Sequence, residues 1–319
     1  NRYQRQTTML QQSTLLLTSK MSFTEVARLV GMSTNRVIRL FDRQPIKAKK
    51  VLPRAIAIDE FKGDAGGEKY QTIIVDVEKK QVIDILPNRR KETIESYFRD
   101  CDTGRVEIVV MDLSKAFKDA VREVLGDPII IADRFHYMRQ VYWAFDEVRR
   151  HVQKELSKKD RIGMKRSKEL LWKSPTKLSE EGKKKVESLL SLDSKLCRAY
   201  KLKNKLDTWF KTSTSNNVKE GLHQWYQVVE EEGLDSFQRV VKTFKRWEQE
   251  ILHSFAFLYS NGCVEGINNT TKVIKRMSYG IKDFERLRKK ILFRQIVKEA
   301  EEQRSEEHTS ELQSHTEIS

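Results

Sequence analysis

The sequence has few cysteines and no long apolar run, and both absences exclude classes of protein. Its three cysteines, Cys101, Cys197 and Cys263, are too far apart for a C-x-x-C ligand pair and suit reduced, mostly buried thiols. We therefore expect neither a disulfide framework nor a zinc site. No stretch approaches the roughly 18 consecutive apolar residues of a membrane span.

The two ends of the chain also lack expected features. The first residues, "NRYQRQTTML", contain neither the apolar segment of a signal peptide nor an initiator methionine, so we expect a cytoplasmic protein whose natural N-terminus lies upstream. At the other end, "RSEEHTSELQSH" resembles the translation of a common sequencing adapter. We interpret residues 304–319 as a tail foreign to the fold, with an ordinary polar tail as the alternative.

Positive charge is abundant. The chain of 319 residues has 61 Lys and Arg against 46 Asp and Glu, which gives a net charge of +15. This excess predicts a polyanionic partner, although a basic protein with a solvated charged surface is the alternative. With 38% apolar residues, the chain can bury a sizeable core in two or three folding units.

Residues 1–45 contain a helix-turn-helix pattern. In "SFTEVARLVGMSTNRVIRLFDR", apolar residues recur at helical spacing on either side of Gly31, and Ser33 or Thr34 can cap the second helix. Residues 1–20 would supply a preceding helix. The alternative is a plain helical hairpin. The second helix would present side chains able to contact bases and phosphates, namely Thr34, Asn35, Arg36 and Arg39.

After a basic link, residues 54–140 change to the period of strands. Three β-branched runs read as antiparallel strands, and two apolar strands follow, each after a helix. The order βββαβαβ predicts an α/β fold with a ribonuclease-H-like mixed sheet. The predicted strands are 54–61, 70–78, 81–88, 106–114 and 128–136, and the predicted helices are 91–101 and 115–126.

Two aspartates stand out in this order. Asp59 interrupts the first strand and Asp112 ends the fourth, which lies beside the first in this topology. Two neighbouring buried carboxylates repel each other, so such a pair usually persists because a divalent cation neutralises it. The alternative is that Asp112 caps the next helix and Asp59 forms a salt bridge.

Residues 141–254 contain no convincing strand and predict a long all-helical insertion. Its tryptophans are either core anchors or, less favoured, platforms for base stacking. They are Trp143, Trp172, Trp209, Trp225 and Trp247.

Residues 255–298 form the second part of the predicted core. A helix with an unusual polar face begins there at about Val264. Val264, Ile267, Thr271 and Ile274 predict an inward stripe. The adjacent face would consist of Glu265, Asn268, Asn269, Lys272 and Arg276. Gly266 would allow the sheet or a substrate to come close, at a cost in helix propensity. Glu265, on the helix that follows the insertion, would join Asp59 and Asp112 as the third acidic metal ligand. Asp133 is the main alternative for this third ligand.

The stretches "IDEF", "VVMDLSKAF", "IIIADRFH" and "YSNGCVEGINNTTKVIKRMSYG" resemble the DDE transposases of the IS-L-three group of bacterial insertion sequences, over residues 1–298. The resemblance implies Asp59, Asp112 and Glu265 as catalytic and metal-binding triad, with two Mg²⁺ ions, or Mn²⁺ as the alternative. It implies DNA cleavage and strand transfer without a covalent protein intermediate. Asp133 and His136 belong to a further family motif whose role stays open.

The resemblance also implies partners. These are double-stranded DNA, both element ends and target, and further copies of the chain in a homo-oligomer on DNA. Lys272, Lys275 and Arg276 would neutralise phosphates near the cleaved bond, and Asn269 is a further candidate for DNA binding. Family members tend to carry an upstream zinc ribbon that this sequence lacks. Two alternatives remain: a non-catalytic DNA-binding regulator on the same fold, and a structure-selective nuclease.

Overall fold

The computed structural model describes residues 7–259 and 262–316, and within the second range it does not describe the side chains of Cys263, Glu265 and 305–316. The first helices are α1 Thr8–Thr18, α2 Phe23–Val30 and α3 Thr34–Asp42. Ser22 and Glu25 cap α2 reciprocally, with hydrogen bonds of 3.1 and 3.0 Å between each side chain and the other residue's backbone N–H. Gly31 ends α2 at φ 65° and Ser33 caps α3, which confirms the predicted helix-turn-helix.

Five strands form one sheet in the order β3-β2-β1-β4-β5. They are β1 Ala55–Phe61, β2 Gln71–Asp76, β3 Gln81–Leu86, β4 Ile108–Met111 and β5 Ile129–Ala132, with α4 Lys91–Arg99 and α5 Lys115–Leu125 between the later strands. β1 and β2 pair antiparallel with Asp59 opposite Ile73, and β2 pairs antiparallel with β3. The mixed sheet confirms the predicted ribonuclease-H-like strand order.

The fifth strand is shorter than the sequence predicts. It ends at Ala132 rather than at residue 136, and Asp133 becomes the N-cap of α6 Arg134–Glu155. Tyr137, Val141 and Phe145 recur at helical spacing and are fully buried. His136 therefore lies in the first turn of a helix, because the apolar run of the strand stops before the helical period begins.

The described residues from α6 to residue 259 are helical apart from turns and a few irregular stretches. The further helices are α7 Lys158–Arg166, α8 Lys168–Trp172, α9 Glu180–Leu190, α10 Ser194–Thr212, α11 Val218–Glu232, α12 Asp235–Arg246 and α13 Glu248–Ala256, with a 3₁₀ turn at Pro175–Lys177. Trp209, Trp225 and Trp247 are buried, and Trp225 donates its indole N–H to the Leu202 carbonyl at 3.0 Å. These three tryptophans are core anchors, whereas Trp143 is exposed.

Two helices complete the chain, α14 Gly262–Met277 and α15 Phe284–Thr316. Charged side chains of α15 contact both α3 and strand β3 of the sheet. Arg286 donates to both carboxylate oxygens of Asp42 at 3.0 and 2.8 Å, and Arg288 donates to both oxygens of the buried Asp84 at 2.6 and 2.8 Å. The backbone of α15 continues through the residues that we interpret as a foreign tail.

The chain divides into two compact units. The first comprises 1–109, 114–128 and 261–319, and the second comprises 110–113 and 129–260. Asp59 and α14 therefore belong to the first unit, whereas Asp112, Asp133 and His136 belong to the second. Among the helices that the structure describes, none is long and apolar enough to cross a bilayer.

Candidate active site

Asp59 occupies a buried position on β1, opposite Ile73 of β2. Its side chain is held by two hydrogen bonds: Oδ1 accepts from the backbone N–H of Glu60 at 2.8 Å, and Oδ2 accepts from the side-chain amide of Asn268 at 2.7 Å. Both Asp59 and Asn268 are less than one-tenth exposed. Since Asn268 lies on α14, this bond connects the first strand directly to the helix that follows the insertion.

The buried face of α14 differs from our expectation at two residues. Val264, Thr271 and Ile274 are buried as predicted, but Ile267 is partly exposed, and Asn268 is buried rather than lying on the outer polar face. Asn268 comes four residues after Val264 and three before Thr271, so the helical period places it on the same stripe. The helical period therefore predicts burial of Asn268, whereas its polar side chain favours the solvent-exposed face.

The outer face of α14 agrees with the sequence for three of the predicted DNA contacts. Asn269, Lys272 and Arg276 are exposed. Gly266 is also exposed, and a side-chain carbon built there would meet no atom within 4 Å in the described structure. Close packing within this chain therefore does not require glycine at 266. The side chain of Glu265, the predicted third carboxylate, lies outside the described residues.

Lys275, the fourth predicted contact on α14, is engaged by a loop of the first unit. Its Nζ donates to Asp64 Oδ2 at 2.8 Å and to the Lys62 carbonyl at 3.2 Å. The hydrogen bond from Lys275 lowers the pKa of Asp64. Asp64 has a positive φ of 48°, so this contact also holds an unusual backbone conformation.

The second unit contains its own acidic cluster, which consists of Asp112, Asp133 and His136. Asp112 follows the end of β4, and its Oδ2 lies 3.8 Å from Nδ1 of His136. Asp133 donates its backbone N–H to the Met111 carbonyl at 2.7 Å. Burial raises the pKa of Asp133, and the charge of Asp112 raises it further, while His136 and the backbone N–H groups of Phe135 and His136 oppose the shift.

The hydrogen bonding of the Asp112 carboxylate is incomplete. Its Oδ1 is buried and finds no hydrogen-bond partner among the described residues. A buried carboxylate oxygen without a donor is costly, and a native structure usually pairs such an atom with water or an ion. The expected alternative, in which Asp112 caps the next helix, is wrong because Ser114 is the N-cap of α5.

The predicted DNA-contacting side chains of α3, the second helix of the helix-turn-helix, lie on its exposed face. Asn35, Arg36 and Arg39 are exposed and Thr34 is partly exposed, whereas Val37 and Phe41 on the opposite face are buried. The apolar period of α3 therefore separates a core face from a polar, basic face.

Comparison with known protein families supports this arrangement. A family model described as "Transposase" matches residues 56–291, and a model described as "Helix-turn-helix domain of transposase family ISL3" matches residues 1–44. The chain belongs to transposase family ISL3. The ISL3 membership confirms the resemblance inferred from the sequence motifs.

Curated relatives of this ISL3 chain carry similar names. It is 28% identical to the "Transposase for insertion sequence element IS1001" of Bordetella parapertussis, over 89% of this chain and 72% of that protein. It is 24% identical to the "Transposase for insertion sequence element IS1557" of Mycobacterium tuberculosis, over 72% of this chain and 57% of that protein. The chain therefore spans only part of the length of each relative.

DDE transposases generally use divalent metal ions, and carboxylate oxygens are the ligands that Mg²⁺ prefers. Asp59 in the first unit and Asp112 in the second each carry such oxygens, and Oδ1 of Asp112 has no hydrogen-bond partner among the described residues. Among the side chains that the structure describes, no group of three or more acidic, His or Cys residues could hold a metal. The side chain of Glu265 is not among those described, so the triad stays a prediction.

Proposed function

We propose that this chain is a DNA transposase that cleaves DNA and transfers the cut strand, with Asp59, Asp112 and Glu265 as its catalytic carboxylates. The observation that carries the proposal is the 2.7 Å hydrogen bond from Asn268 to Asp59. It connects the acidic residue of β1 to α14, the helix in which Glu265 precedes Asn268 by three residues. One helical turn separates these two positions, which favours a shared role.

Asp59, Asp112 and Glu265 would hold divalent cations, either two Mg²⁺ ions or Mn²⁺ in their place. When bound, such ions activate a water or hydroxyl nucleophile and stabilise the leaving oxygen of a phosphodiester. Asn268 keeps the Asp59 carboxylate in one orientation, because its amide occupies one of the two oxygens at hydrogen-bond distance. His136, at 3.8 Å from Asp112, would help to orient that carboxylate. Asp133 is a neighbouring acid, and the like charge of Asp112 contributes to raising its pKa.

The basic side chains would bind the DNA backbone. Asn269, Lys272 and Arg276 form an exposed polar face on α14, and we propose that they contact phosphates near the cleaved bond. Lys275 would contribute positive charge to the same DNA contact while it donates its hydrogen bond to Asp64. On α3, Thr34, Asn35, Arg36 and Arg39 would contact bases and phosphates in a major groove.

We also propose that the chain acts as a homo-oligomer on DNA, in the cytoplasm. For the domain organisation we propose residues 1–45 as the DNA-binding unit, 54–140 and 255–298 as the catalytic core, 141–254 as the insertion, and 304–319 as the foreign tail.

A strand-transfer assay separates the candidate functions. Purified protein is incubated with labelled element-end DNA, a target plasmid and Mg²⁺, and the products are resolved by size. Cleaved ends joined to the target support a transposase. Cleavage without joining would indicate a structure-selective nuclease, and tight binding with neither product would indicate a non-catalytic regulator. A matched control for carboxylate-to-amide variants is Glu107→Gln, which should retain activity because this side chain is 62% exposed and pairs with Arg54 at 2.7 Å.

A further inference from the structure

The outer face of α6 carries a stripe of large exposed side chains that the proposed cleavage chemistry does not use. Phe135, Arg139 and Trp143 lie one turn apart, at i, i+4 and i+8. Phe135 is 57% exposed and Trp143 is 48% exposed. The guanidinium of Arg139 lies between the two rings, 5.6 Å from the ring centre of Phe135 and 4.7 Å from that of Trp143. We call these three residues the α6 stripe.

The positive charge of the α6 stripe is available to a ligand. Arg139 forms no ion pair with any carboxylate that the structure describes. One turn further along the helix, Glu147 accepts two hydrogen bonds from Arg239, at 2.6 and 2.7 Å, so the acidic residue nearest in the row is already neutralised. An arginine held against two rings costs little further entropy when it binds an anion.

A basic cavity of the second unit borders the same stripe. Phe135 lines this cavity of about 690 Å³ together with the exposed Lys173, Lys177 and Lys211. Two carboxylates, Glu169 and Asp207, also line it, and Asp207 accepts hydrogen bonds from the Tyr142 hydroxyl at 2.9 and 3.0 Å. Burial raises the pKa of Asp207. The cavity therefore combines aromatic surface with an excess of cations, at a volume that suits a nucleotide.

We propose that the α6 stripe binds an unpaired segment of a DNA strand, with bases stacked on Phe135 and Trp143 and phosphates near Arg139 and the cavity lysines. Exposed rings interleaved with cations are the usual means of binding single strands. The DNA must be unpaired because both faces of each base in a duplex are covered by neighbouring bases. A second copy of the chain fits less well, since it would bury Arg139 without a carboxylate partner.

This inference rests on the proposed function only in taking DNA as the substrate, so its test measures binding without cleavage. Fluorescence anisotropy of the full chain, with EDTA and at fixed salt, is recorded with a labelled single strand and with a blunt-ended duplex that contains the same sequence. Phe135→Ala and Trp143→Ala should each weaken single-strand binding roughly 5- to 150-fold and leave duplex binding unchanged. Phe135→Leu and Trp143→Leu should weaken it as well, because leucine keeps the apolar surface without a ring.

Two controls make the result specific. Trp143→Phe should restore most of the single-strand affinity, and Arg161→Ala, which removes an exposed arginine from α7, should have little effect compared with Arg139→Ala. Unchanged single-strand affinity in the ring variants would overturn the proposal, as would equal losses for both DNAs. A change from oligomer to monomer on sedimentation, with DNA binding intact, would assign the stripe to a second copy of the chain. Loss of strand transfer alone would concern the proposed function and not this surface.

Discussion

Asp59 on β1 and Asp112 directly after β4 are the same residue type, yet their hydrogen bonds differ. Asp59 has a hydrogen-bond donor for each oxygen, from Glu60 and from Asn268. Asp112 leaves Oδ1 buried without a described partner, and Nδ1 of His136 lies 3.8 Å from its other oxygen. The first carboxylate is oriented by the protein, whereas the second keeps an oxygen free to accept a ligand. In the function that we propose, Asp59 would bind a metal ion from a fixed orientation, and Asp112 would bind it with an oxygen that no described donor occupies.

The largest expected effect comes from removing either charge. Asp59→Asn and Asp112→Asn should each reduce DNA cleavage on the order of a thousandfold or more, because the carboxylates act as one unit. The double variant should lose little beyond either single variant. Gel-based cleavage assays at saturating DNA measure the loss, and filter binding establishes that affinity for DNA is retained. Additive losses would mean that the two aspartates act independently.

A smaller effect should follow from releasing Asp59 without removing its charge. Asn268→Ala should reduce the cleavage rate about 10- to 100-fold, as is typical when a group that orients a metal ligand is lost. It should also destabilise the fold by about 1–3 kcal/mol, because a buried hydrogen bond is broken. The control is Thr270→Ala, an exposed residue of the same helix. If Asn268→Ala cleaves normally, the asymmetry between the two aspartates has no functional meaning.

Arg36→Ala and Arg39→Ala test whether DNA binding can be weakened without changing the cleavage that we assign to Asp59 and Asp112. Each should weaken DNA binding by about 1–3 kcal/mol if the arginine reads a base, with no change in cleavage rate once DNA is saturating. Titrations at several salt concentrations measure the affinity. Unchanged affinity in both variants would remove α3 from the recognition role and leave the basic surface of the core to bind DNA.

The smallest effect is expected at the C-terminus. Deleting residues 304–319 should change neither the melting temperature nor the affinity for DNA, since the sequence there has no apolar period. A drop of several degrees in thermal unfolding would contradict the interpretation of this segment as foreign to the fold.

The sequence predicts much of this architecture because period and caps are local signals. Alternating and continuous apolar runs identify the five strands, and Gly31 with Ser33 marks the helix-turn-helix. The end of the fifth strand was misjudged because Phe135 and His136 are compatible with a strand, and only the longer helical period reveals α6. A strand boundary of this kind depends on the sequence on both sides of it.

The site was less predictable than the fold. Asn268 reads as a surface residue by type, although its burial against Asp59 follows from its position on the stripe. Two buried lysines could not be predicted at all. Lys203 donates to the carbonyls at the end of α8, and Lys290 donates to the Met21 carbonyl at 2.9 Å. Burial lowers the pKa of each to about 8, and tertiary contacts alone produce such an environment.

The most direct test of the central claim compares Glu265→Gln with Asp133→Asn in Mg²⁺-dependent cleavage. Both changes remove one negative charge and keep the size and hydrogen-bonding capacity of the side chain. If Asp59, Asp112 and Glu265 form the catalytic triad, Glu265→Gln abolishes cleavage and strand transfer while DNA binding is retained, and Asp133→Asn cleaves at a substantial fraction of the normal rate. Near-normal cleavage by Glu265→Gln together with inactive Asp133→Asn would contradict the account and assign the third carboxylate to Asp133.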